Sequence, residues 1–306
     1  MTTTEHYSAE TANTSLLHYA ARTPEYARTL RERRSLLWNF VHRDLLGRFK
    51  GSLFGVFWVL IQPIFLFVVY FAIFGILFAP RLEEGPDKLF ALYMFSGILI
   101  FTAIQEATNA SLTSIVNNAN LVKKVKFPCE LMPLVPAIVA AAVLVVGCLV
   151  LVVAGLLIGG LVFDARLLYF PVLIVAFVGM TGGMGLLLAG ANVFVRDIAH
   201  LYRIFTSAWF FLSPIFWRLD QVESKFSEIG MGWLSYALML NPAFPIVMAQ
   251  RQVFGIGDSL PPAEYAADFP WSLTTNVLVS LAWAVFFLVV GYGFFKSRRH
   301  KFADLV

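Results

Sequence analysis

Residues 117–133 read NNANLVKKVKFPCELMP, a short polar and basic island between two long apolar runs. Its three lysines stand beside membrane-length segments, and Lys and Arg in short loops bias those loops toward the cytoplasm. Apolar residues and lysines mix between Leu121 and Phe127, so this surface is both apolar and positive. A loop that only fixes the orientation of the chain is the alternative. We interpret the island as a docking element for a cytoplasmic partner, because a solvated turn does not need four apolar side chains so close together.

The composition on either side of this island is typical of a polytopic membrane protein. Of the 306 residues, 59% are hydrophobic and 14% are charged, whereas a soluble domain has about 25% charged residues. The net charge of +4 raises the question of nucleic-acid binding. Assigning each Lys and Arg to a predicted loop answers this question, because 17 of the 23 fall on the cytoplasmic side of a six-span topology. The positive charge is therefore a topology signal, and no nucleic-acid partner is expected.

The apolar runs predict an all-α transmembrane domain over residues 51–306 with six spans. A span needs about 20 mostly apolar residues, and Pro63 is expected to kink the first one. Two small-residue spacings, Gly155 with Gly159 and Gly179 with Gly183, favour close contact between helices. The predicted spans cover about residues 52–79, 89–116, 132–162, 167–191, 199–217 and 272–295.

One further uncharged run, Ile229–Gln250, is broken in its middle by the sequence NPAFP at residues 241–245. A seventh span here would place the basic C-terminal tail outside the cell, against the positive-inside rule. We therefore predict a re-entrant pair of short helices at about residues 229–250, with both chain termini in the cytoplasm. Irregular backbone at membrane depth persists only where it is buried in protein or faces water. The hairpin is thus expected beside a transport pathway.

Residues 1–50 are predicted to form a loosely ordered cytoplasmic tail followed by an amphipathic helix. A basic helix with a Trp on its apolar side lies in the membrane interface; a packed core helix is the alternative, but the chain offers no soluble core to join. The first thirty residues lack the apolar run of a cleavable signal peptide. The apolar stripe comprises Trp38, Val41, Leu45 and Phe49, flanked by Leu37 and Phe40, with Arg34, Arg43 and Lys50 elsewhere on the surface.

The chain lacks the motifs of an ATP-binding or metal-dependent enzyme. No G-x-x-x-x-G-K-[ST] phosphate loop occurs, and no His, Cys, Asp and Glu set has metal-ligand spacing. Cys129 and Cys148 are about 28 Å apart on a helix, beyond the reach of a disulfide. Glu106 is the candidate for a buried acid within the spans. Because it stands beside Gln105 and Asn109 without a second buried acid or base, we expect a structural role rather than proton transport.

Four stretches, in order, resemble the membrane subunits of ABC-2 type polysaccharide exporters, which handle O-antigens, capsular polymers, teichoic acids and related lipid-linked glycans. Each stretch is weak alone, but together they cover residues 42–245 and are specific. Trp217 departs from the family pattern, in which Tyr is common soon after the Ser-Pro-Ile, and we infer no substrate from it. The stretches are HRD…RFKGSLFG…W…QP…Y (residues 42–70), NLVKKVKFP (120–128), VRDI (195–198), and SPIF (213–216) followed by NP (241–242).

The resemblance implies a non-enzymatic permease that works as a homodimer with two copies of a separate ATPase subunit. ATP and Mg would belong to that ATPase, and this chain would carry no cofactor. The basic island would be the coupling helix, and short gate helices would precede the last span on the outer face of a bacterial cytoplasmic (inner) membrane. The cargo would be a lipid-linked polysaccharide. An exporter of drugs or small lipids is the main alternative; an ion-coupled secondary transporter using Glu106 and a membrane-embedded glycan enzyme are the others.

Three groups of candidate residues follow. ATP binding by the partner would move the coupling residues and open a channel between two permease copies, lined by rings on which sugars stack their C–H faces. A lipid-facing or interfacial aromatic belt is the alternative for each ring. The coupling residues are Asn120, Leu121, Val122, Lys123, Lys124, Val125, Lys126 and Phe127, with Arg33 and Arg34. The channel residues are Phe57, Trp58, Phe65, Tyr70, Tyr202, Phe205, Trp209 and Phe216; the gate residues are Asn241, Pro242, Phe244 and Pro245.

Overall fold

The computed structural model describes residues 19, 22–48, 50–73, 88–123, 128–158, 164–217, 219–256 and 271–306. Across these ranges the regular elements are helices, and no strand occurs in them. The all-α prediction is confirmed for that part of the chain. Phe49, residues 74–87, Gly159 and residues 124–127 of the basic island lie outside the described residues.

The described residues form a series of helices. In chain order they are α1 (Thr23–Glu32), α2 (Arg34–Gly47), α3 (Trp58–Tyr70), α4 (Lys88–Thr113), α5 (Ala119–Val122), α6 (Leu134–Ile158), α7 (Phe170–Phe194), α8 (Ile198–Leu212), α9 (Leu219–Glu228), α10 (Trp233–Met239), α11 (Ala243–Val253), α12 (Leu273–Arg298) and α13 (Phe302–Leu305). Helices α4, α6, α7 and α12 belong to segments long and apolar enough to cross a membrane. Four of the six predicted spans are therefore present.

The first and fifth predicted spans are shorter helices. The first extends over Trp58–Ile73 in the described chain, and Pro63 lies inside it without ending it. Helix α8 has 15 residues, about 22 Å at ~1.5 Å per residue, against a hydrocarbon core of about 30 Å. It ends at Ser213, whose backbone is extended because the following proline disfavours helix there. The fifth helix thus stops short of residue 217, and the count of six spans stays a prediction.

The four long helices form a packed body. Gly183 on α7 faces Gly291 on α12, and a methyl group at Gly291 would overlap the carbonyl oxygen of Gly183. One turn away, a Cβ added to Gly179 would lie 3.0 Å from the Cβ of Ala284. The small-residue contact predicted for Gly179 and Gly183 is confirmed, and its partner is the last span. Glycines allow the two backbones to approach closely enough for van der Waals contact to hold them together.

The N-terminal segment is two helices rather than one, because the chain turns at Arg33 between α1 and α2. Val41 of α2 is buried against Val135 and Val139 of α6. Trp38 points away and is 65% exposed. The predicted apolar stripe is therefore divided between two surroundings. Val41 packs on the apolar surface of α6, and Trp38 stays exposed, where it can contact the membrane interface.

The segment before the last span contains the predicted pair of short helices. Helices α10 and α11 flank a turn at residues 240–242. All of α11 is buried, whereas in α10 Ser235 is the buried residue. Helix α9 precedes the pair and lies outside the predicted spans and hairpin. How deeply the hairpin enters the membrane stays a prediction.

Candidate functional site

The described part of the basic island forms one short helix and its flanks. A 3-10 turn at Val116–Asn118 leads into α5. Val122 is buried and Leu121 is half-buried, while Asn120 and Lys123 are exposed. The C-terminal helix α13 packs against α5. The described turn of the island, Asn120–Lys123, is thus amphipathic, with apolar side chains turned toward the body and polar ones turned outward.

Glu130, near the C-terminal end of the island, binds residues from two distant parts of the chain. Its buried carboxylate lies 3.2 Å from Nη1 of Arg299, just beyond α12. The hydroxyl of Tyr26 in α1 donates to the backbone oxygen of Glu130 at 3.2 Å, and its ring stacks on Tyr292 with centroids 5.0 Å apart. Burial, and then the Glu130 carboxylate, raise the pKa of Tyr26, so the phenol keeps its proton and remains a donor.

Arg33 and Arg34 are exposed at the turn between α1 and α2. Helix α1 also carries Tyr26, which is bonded to Glu130. Helix α1, which ends directly before Arg33, is therefore bonded to the island at Glu130, outside the predicted coupling residues. Docking of an ATPase on these residues stays a prediction, as do the roles of Lys124, Val125, Lys126 and Phe127, which lie outside the described chain.

Glu106 is not the buried acid that the sequence suggests. Its side chain is 42% exposed and forms an ion pair with Arg48, next to the end of α2. Arg48 also lies 3.4 Å from the carboxylate of Asp44. The neighbouring Gln105 points elsewhere and donates to the backbone oxygen of Thr206 in α8 at 3.1 Å. The correction has a tertiary cause, because α2 brings an arginine to α4 that no local pattern reveals; a structural role for Glu106 agrees with this pair.

Asn241 joins the end of α8 to the hairpin. Its Oδ1 accepts hydrogen bonds from the indole N–H of Trp209 at 2.6 Å and from the backbone N–H of Ala243 at 2.9 Å. Its Nδ2 donates to the backbone oxygen of Leu212 at 3.1 Å and to Oγ of Ser213 at 3.0 Å. Four hydrogen bonds use most of the capacity of one amide side chain. A turn predicted from Asn-Pro is therefore also a joint between two elements.

The other predicted gate residues anchor the hairpin. Pro242 is half-buried just before α11. Phe244 is fully buried, and its ring meets Trp271 edge to face with centroids 5.8 Å apart. Pro245 is buried in the same turn of helix. These side chains hold α11 in place, and none of the three lies on an open surface.

Arg251 is a buried cation that sequence reasoning counted among the outer-loop charges. It is fully buried, and its guanidinium carbon lies 3.4 Å from the centroid of the Tyr93 ring. Its Nη2 donates to the backbone oxygens of Tyr93 at 3.2 Å and of Ile215 at 3.4 Å, and its Nε to Oγ of Ser96 at 3.4 Å. Gly97 makes room, because a Cβ there would lie 2.8 Å from Nη2. One side chain thus holds together α4, α11 and the segment after α8. The sequence feature that could have indicated its burial is its position directly after the uncharged run Ile229–Gln250.

The predicted channel aromatics divide by the helix face that carries them. Tyr202, Thr206 and Trp209 form the buried face of α8, and the ring of Trp209 meets Phe101 of α4 with centroids 5.3 Å apart. The opposite face of α8 and much of α3 are open. By exposure, Phe57, Trp58, Phe65 and Phe205 are exposed, Tyr70 and Phe216 are half-buried, and Tyr202 and Trp209 are buried.

Comparison with known proteins assigns this arrangement to a family. Residues 35–254, well over half of the chain, match the sequence profile of the ABC-2 type transporter. The chain belongs to the ABC-2 type transporter family. Together with its four membrane-length helices, this makes the ABC-2 permease a multi-pass membrane protein. The matched range takes in the basic island, the Asn241 joint and Arg251.

Individual relatives of this ABC-2 permease extend the similarity beyond that range. The O-antigen export system permease protein RfbA of Myxococcus xanthus is 25% identical over 279 residues, which cover 91% of this chain and 98% of the relative. Two proteins of the same name from Klebsiella pneumoniae are each 22% identical, covering 89% of this chain and 95% of their own length. The permease is therefore similar to these export proteins along most of its length.

Proposed function

We propose that this ABC-2 permease is the membrane subunit of an ATP-driven exporter that moves a lipid-linked polysaccharide across the bacterial cytoplasmic (inner) membrane. The cargo is a glycan of the O-antigen, capsular or teichoic-acid type, a class supported by the relatives' names. A separate ATPase binds ATP and Mg, and this chain catalyses no reaction. The observation that carries the proposal is the pair of open aromatic faces on α3 and α8, beside the core that α4, α6, α7 and α12 share.

These open faces support a homodimer. The distribution of Lys and Arg supports the placement of both termini of each chain in the cytoplasm. Helix α8 is shorter than the hydrocarbon core, and oligomerisation is one way to accommodate such a helix. Its outer face is mostly apolar apart from His200, Arg203 and Ser207, and large exposed apolar surfaces mark sites of protein or lipid contact. A second copy placed against α3 and α8 would cover the edges of this surface and leave a channel between the copies. The exposed residues of α8 include Leu201, Ile204, Phe205, Phe211 and Leu212.

Coupling to the ATPase follows from the contacts of the basic island. Asn120 and Lys123 are exposed for docking, and the ATPase dimer moves them as it closes on ATP. The Glu130–Arg299 pair passes this movement to the end of α12. Backbone contact between Gly183 and Gly291 obliges α7 to follow α12. The permease thus transmits to its own helices a movement that ATP binding produces in the partner ATPase.

The hairpin acts as the outer gate, because it is fixed to the helices that border the channel. Asn241 bonds it to the end of α8, and Arg251 bonds it to α4. A tilt of α8 therefore carries the hairpin with it. The exposed rings then offer sugar-stacking surfaces that hold no single residue of the polymer strongly.

Docking is tested by charge reversal in the island. Lys123→Glu combined with Lys124→Glu should abolish co-purification of the ATPase and glycan export, since the positive side of the docking surface is lost. The matched control is Lys301→Glu, an exposed lysine of the C-terminal segment outside the island. Wild-type co-purification and export by the double variant would contradict the proposal.

Cargo and energy source are tested by reconstitution. Vesicles that contain the permease and its ATPase should expose a lipid-linked glycan to an external glycosidase only when ATP and Mg are supplied. Glu106→Gln should transport at close to the wild-type rate, because its ion pair is exposed and such pairs contribute little. Transport by the permease alone on an ion gradient, abolished by Glu106→Gln, would overturn the proposal in favour of a secondary transporter.

A further inference from the structure

A pocket of about 280 Å³ lies where the N-terminal helix α2 meets the end of α4 and the start of α6. It adjoins the Asn117–Asn118 turn that leads into α5, so it is at the junction between the interfacial helix and the coupling element. In the proposed topology this junction is at the cytoplasmic surface of the membrane. None of the coupling, channel or gate residues lines it.

Part of the pocket lining is polar, and one of its hydroxyl groups has no hydrogen-bond partner among the described residues. Ser114 is 7% exposed, and its hydroxyl oxygen has no hydrogen-bond partner in the described chain. The guanidinium of Arg43 lies over the ring of Phe40, 4.6 Å from its centroid, which leaves the N–H edge of the guanidinium for an anion. Asn117 and Asn118 add two amide side chains to the lining, and Nδ2 of Asn118 also donates to the backbone oxygen of Ser114 at 2.8 Å.

The charge of the pocket favours an anion at Arg43. A second arginine, Arg48, also lines the pocket, but it is paired with Asp44 at 3.4 Å and with Glu106. Asp44 is the carboxylate in the lining, and its charge is directed to Arg48. Arg43 is therefore the cation left to attract a ligand.

The lining also includes the apolar side chains of Phe40, Met132, Val135 and Pro136. A free inorganic anion gains nothing from such side chains, whereas an amphiphile buries hydrocarbon against them. Basic pockets between transmembrane helices on the cytoplasmic side bind the headgroups of anionic lipids. The mixed lining thus favours a lipid over a soluble ion.

We propose that this pocket binds the phosphate headgroup of an anionic bilayer phospholipid, which joins α2 to the turn before the coupling helix. Arg43 and the hydroxyl of Ser114 contact the phosphate, Asn117 and Asn118 contact its glycerol oxygens, and the first carbons of the acyl chains lie along Val135 and Pro136. The bound lipid is a resident part of the transporter and not its cargo.

The test measures phosphatidylglycerol retained by the purified permease–ATPase complex, without ATP or glycan. The complex is placed in nanodiscs of phosphatidylcholine and phosphatidylglycerol, re-extracted in detergent, washed, and its lipids are quantified by mass spectrometry. Arg43→Gln should lower retention about fivefold, the equivalent of about 1 kcal/mol for one basic residue near a membrane surface. Ser114→Ala should lower it about twofold to threefold, because one hydrogen bond is lost.

Matched controls separate the pocket from general surface charge. Arg31→Gln removes an exposed arginine of α1, and Ser35→Ala an exposed serine of α2, both outside the pocket; neither should change retention. Ser114→Ala keeps a small residue in the turn after α4, so it remains informative if Arg43→Gln fails to fold.

Three outcomes would overturn the proposal. The first is equal loss of phosphatidylglycerol in Arg43→Gln and Arg31→Gln. The second is full displacement of the lipid by inorganic phosphate, which would assign the pocket to a free anion. The third is selective retention of an added polyprenyl pyrophosphate in place of phosphatidylglycerol, which would assign it to the cargo.

Discussion

The packed body and the open pair of helices α3 and α8 are built from the same apolar residue types, yet they differ in how much of their apolar surface is covered within one chain. In the body, residues such as Phe95, Phe101 and Phe177 are fully buried within one chain. In the pair, Phe65 and Phe211 are 67% and 68% exposed. The body thus has a core of its own within one copy, although side chains such as Leu157 of α6 and Phe286 of α12 are exposed on its outside. The pair has few buried residues and is covered only by a second copy, by lipid or by cargo.

The two regions meet along one face of α8. Thr206 and Trp209 pack on α4, while Phe205 and Phe211 on the other side face away. One helix therefore belongs to the stable body on one face and to the moving channel on the other. Substitutions on the two faces should separate stability from transport.

The largest effect is expected where the body holds the hairpin. Arg251→Met removes the donor to the carbonyls of Tyr93 and Ile215 and the cation over the Tyr93 ring, so it should destabilise the permease by about 3–5 kcal/mol. The apparent melting temperature of the purified protein measures this. Arg203→Met, at an exposed arginine of α8, is the control and should change stability by less than about 0.5 kcal/mol. Equal melting temperatures for the two variants would show that the buried guanidinium does not secure the hairpin.

The next effect is expected inside the body itself. Gly291→Val places a branched side chain where the Gly183 carbonyl lies, so α7 and α12 must separate at a cost of about 2–3 kcal/mol. The same melting measurement applies. Gly47→Ala adds a Cβ with nothing within 4 Å and should instead stabilise slightly, by about 0.5 kcal/mol. A Gly291→Val protein as stable as wild type would contradict the close α7–α12 contact.

A smaller effect is expected where the body meets the basic island. Glu130→Gln weakens the contact with Arg299 and should cost about 1–2 kcal/mol. Its sharper consequence is uncoupling: ATP hydrolysed per glycan exported should rise severalfold, because closure of the ATPase no longer moves α12 fully. Glu228→Gln, at an exposed glutamate of α9, should leave this ratio unchanged. A parallel loss of hydrolysis and export in Glu130→Gln would indicate a folding role alone.

The smallest effect on stability is expected on the open pair. Phe211→Ala should change the melting temperature of the isolated chain by the equivalent of less than about 0.5 kcal/mol, yet it should weaken dimerisation or slow export severalfold. Analytical ultracentrifugation and the vesicle assay measure the two. Trp209→Ala on the buried face should do the reverse and destabilise the chain by about 3 kcal/mol or more. Identical profiles for these two neighbours would mean that α8 does not have two distinct faces.

Much of the body could be predicted from the sequence, because long uncharged runs leave helices as the main solution in a membrane. The break at Asn241-Pro242 was also readable, since proline interrupts a helix. The burial of individual charged residues could not be predicted in this way. Arg251 appeared to be a loop charge and Glu106 a buried acid, and the structure reverses both. Each depends on a partner at least 36 residues away in sequence, and local patterns carry no information about such partners.

The candidate sites show the same limit. Composition identified aromatic residues on α3 and α8, but only packing against α4 shows which face of α8 is covered. A helical wheel placed Trp38 and Val41 on one stripe, and the surface offered by α6 separated them. Amphipathic patterns report how apolar a face is and leave open what covers it.

The meeting of Tyr26, Glu130 and Arg299 has a practical consequence. Segments near the beginning and the end of the polypeptide are clamped to the same short stretch, so displacement of that stretch tugs on both. Fluorophores attached beside residues 22 and 306 would act as a built-in gauge of the transport cycle, and the efficiency of energy transfer between them would follow each round of nucleotide binding without any label in the pore.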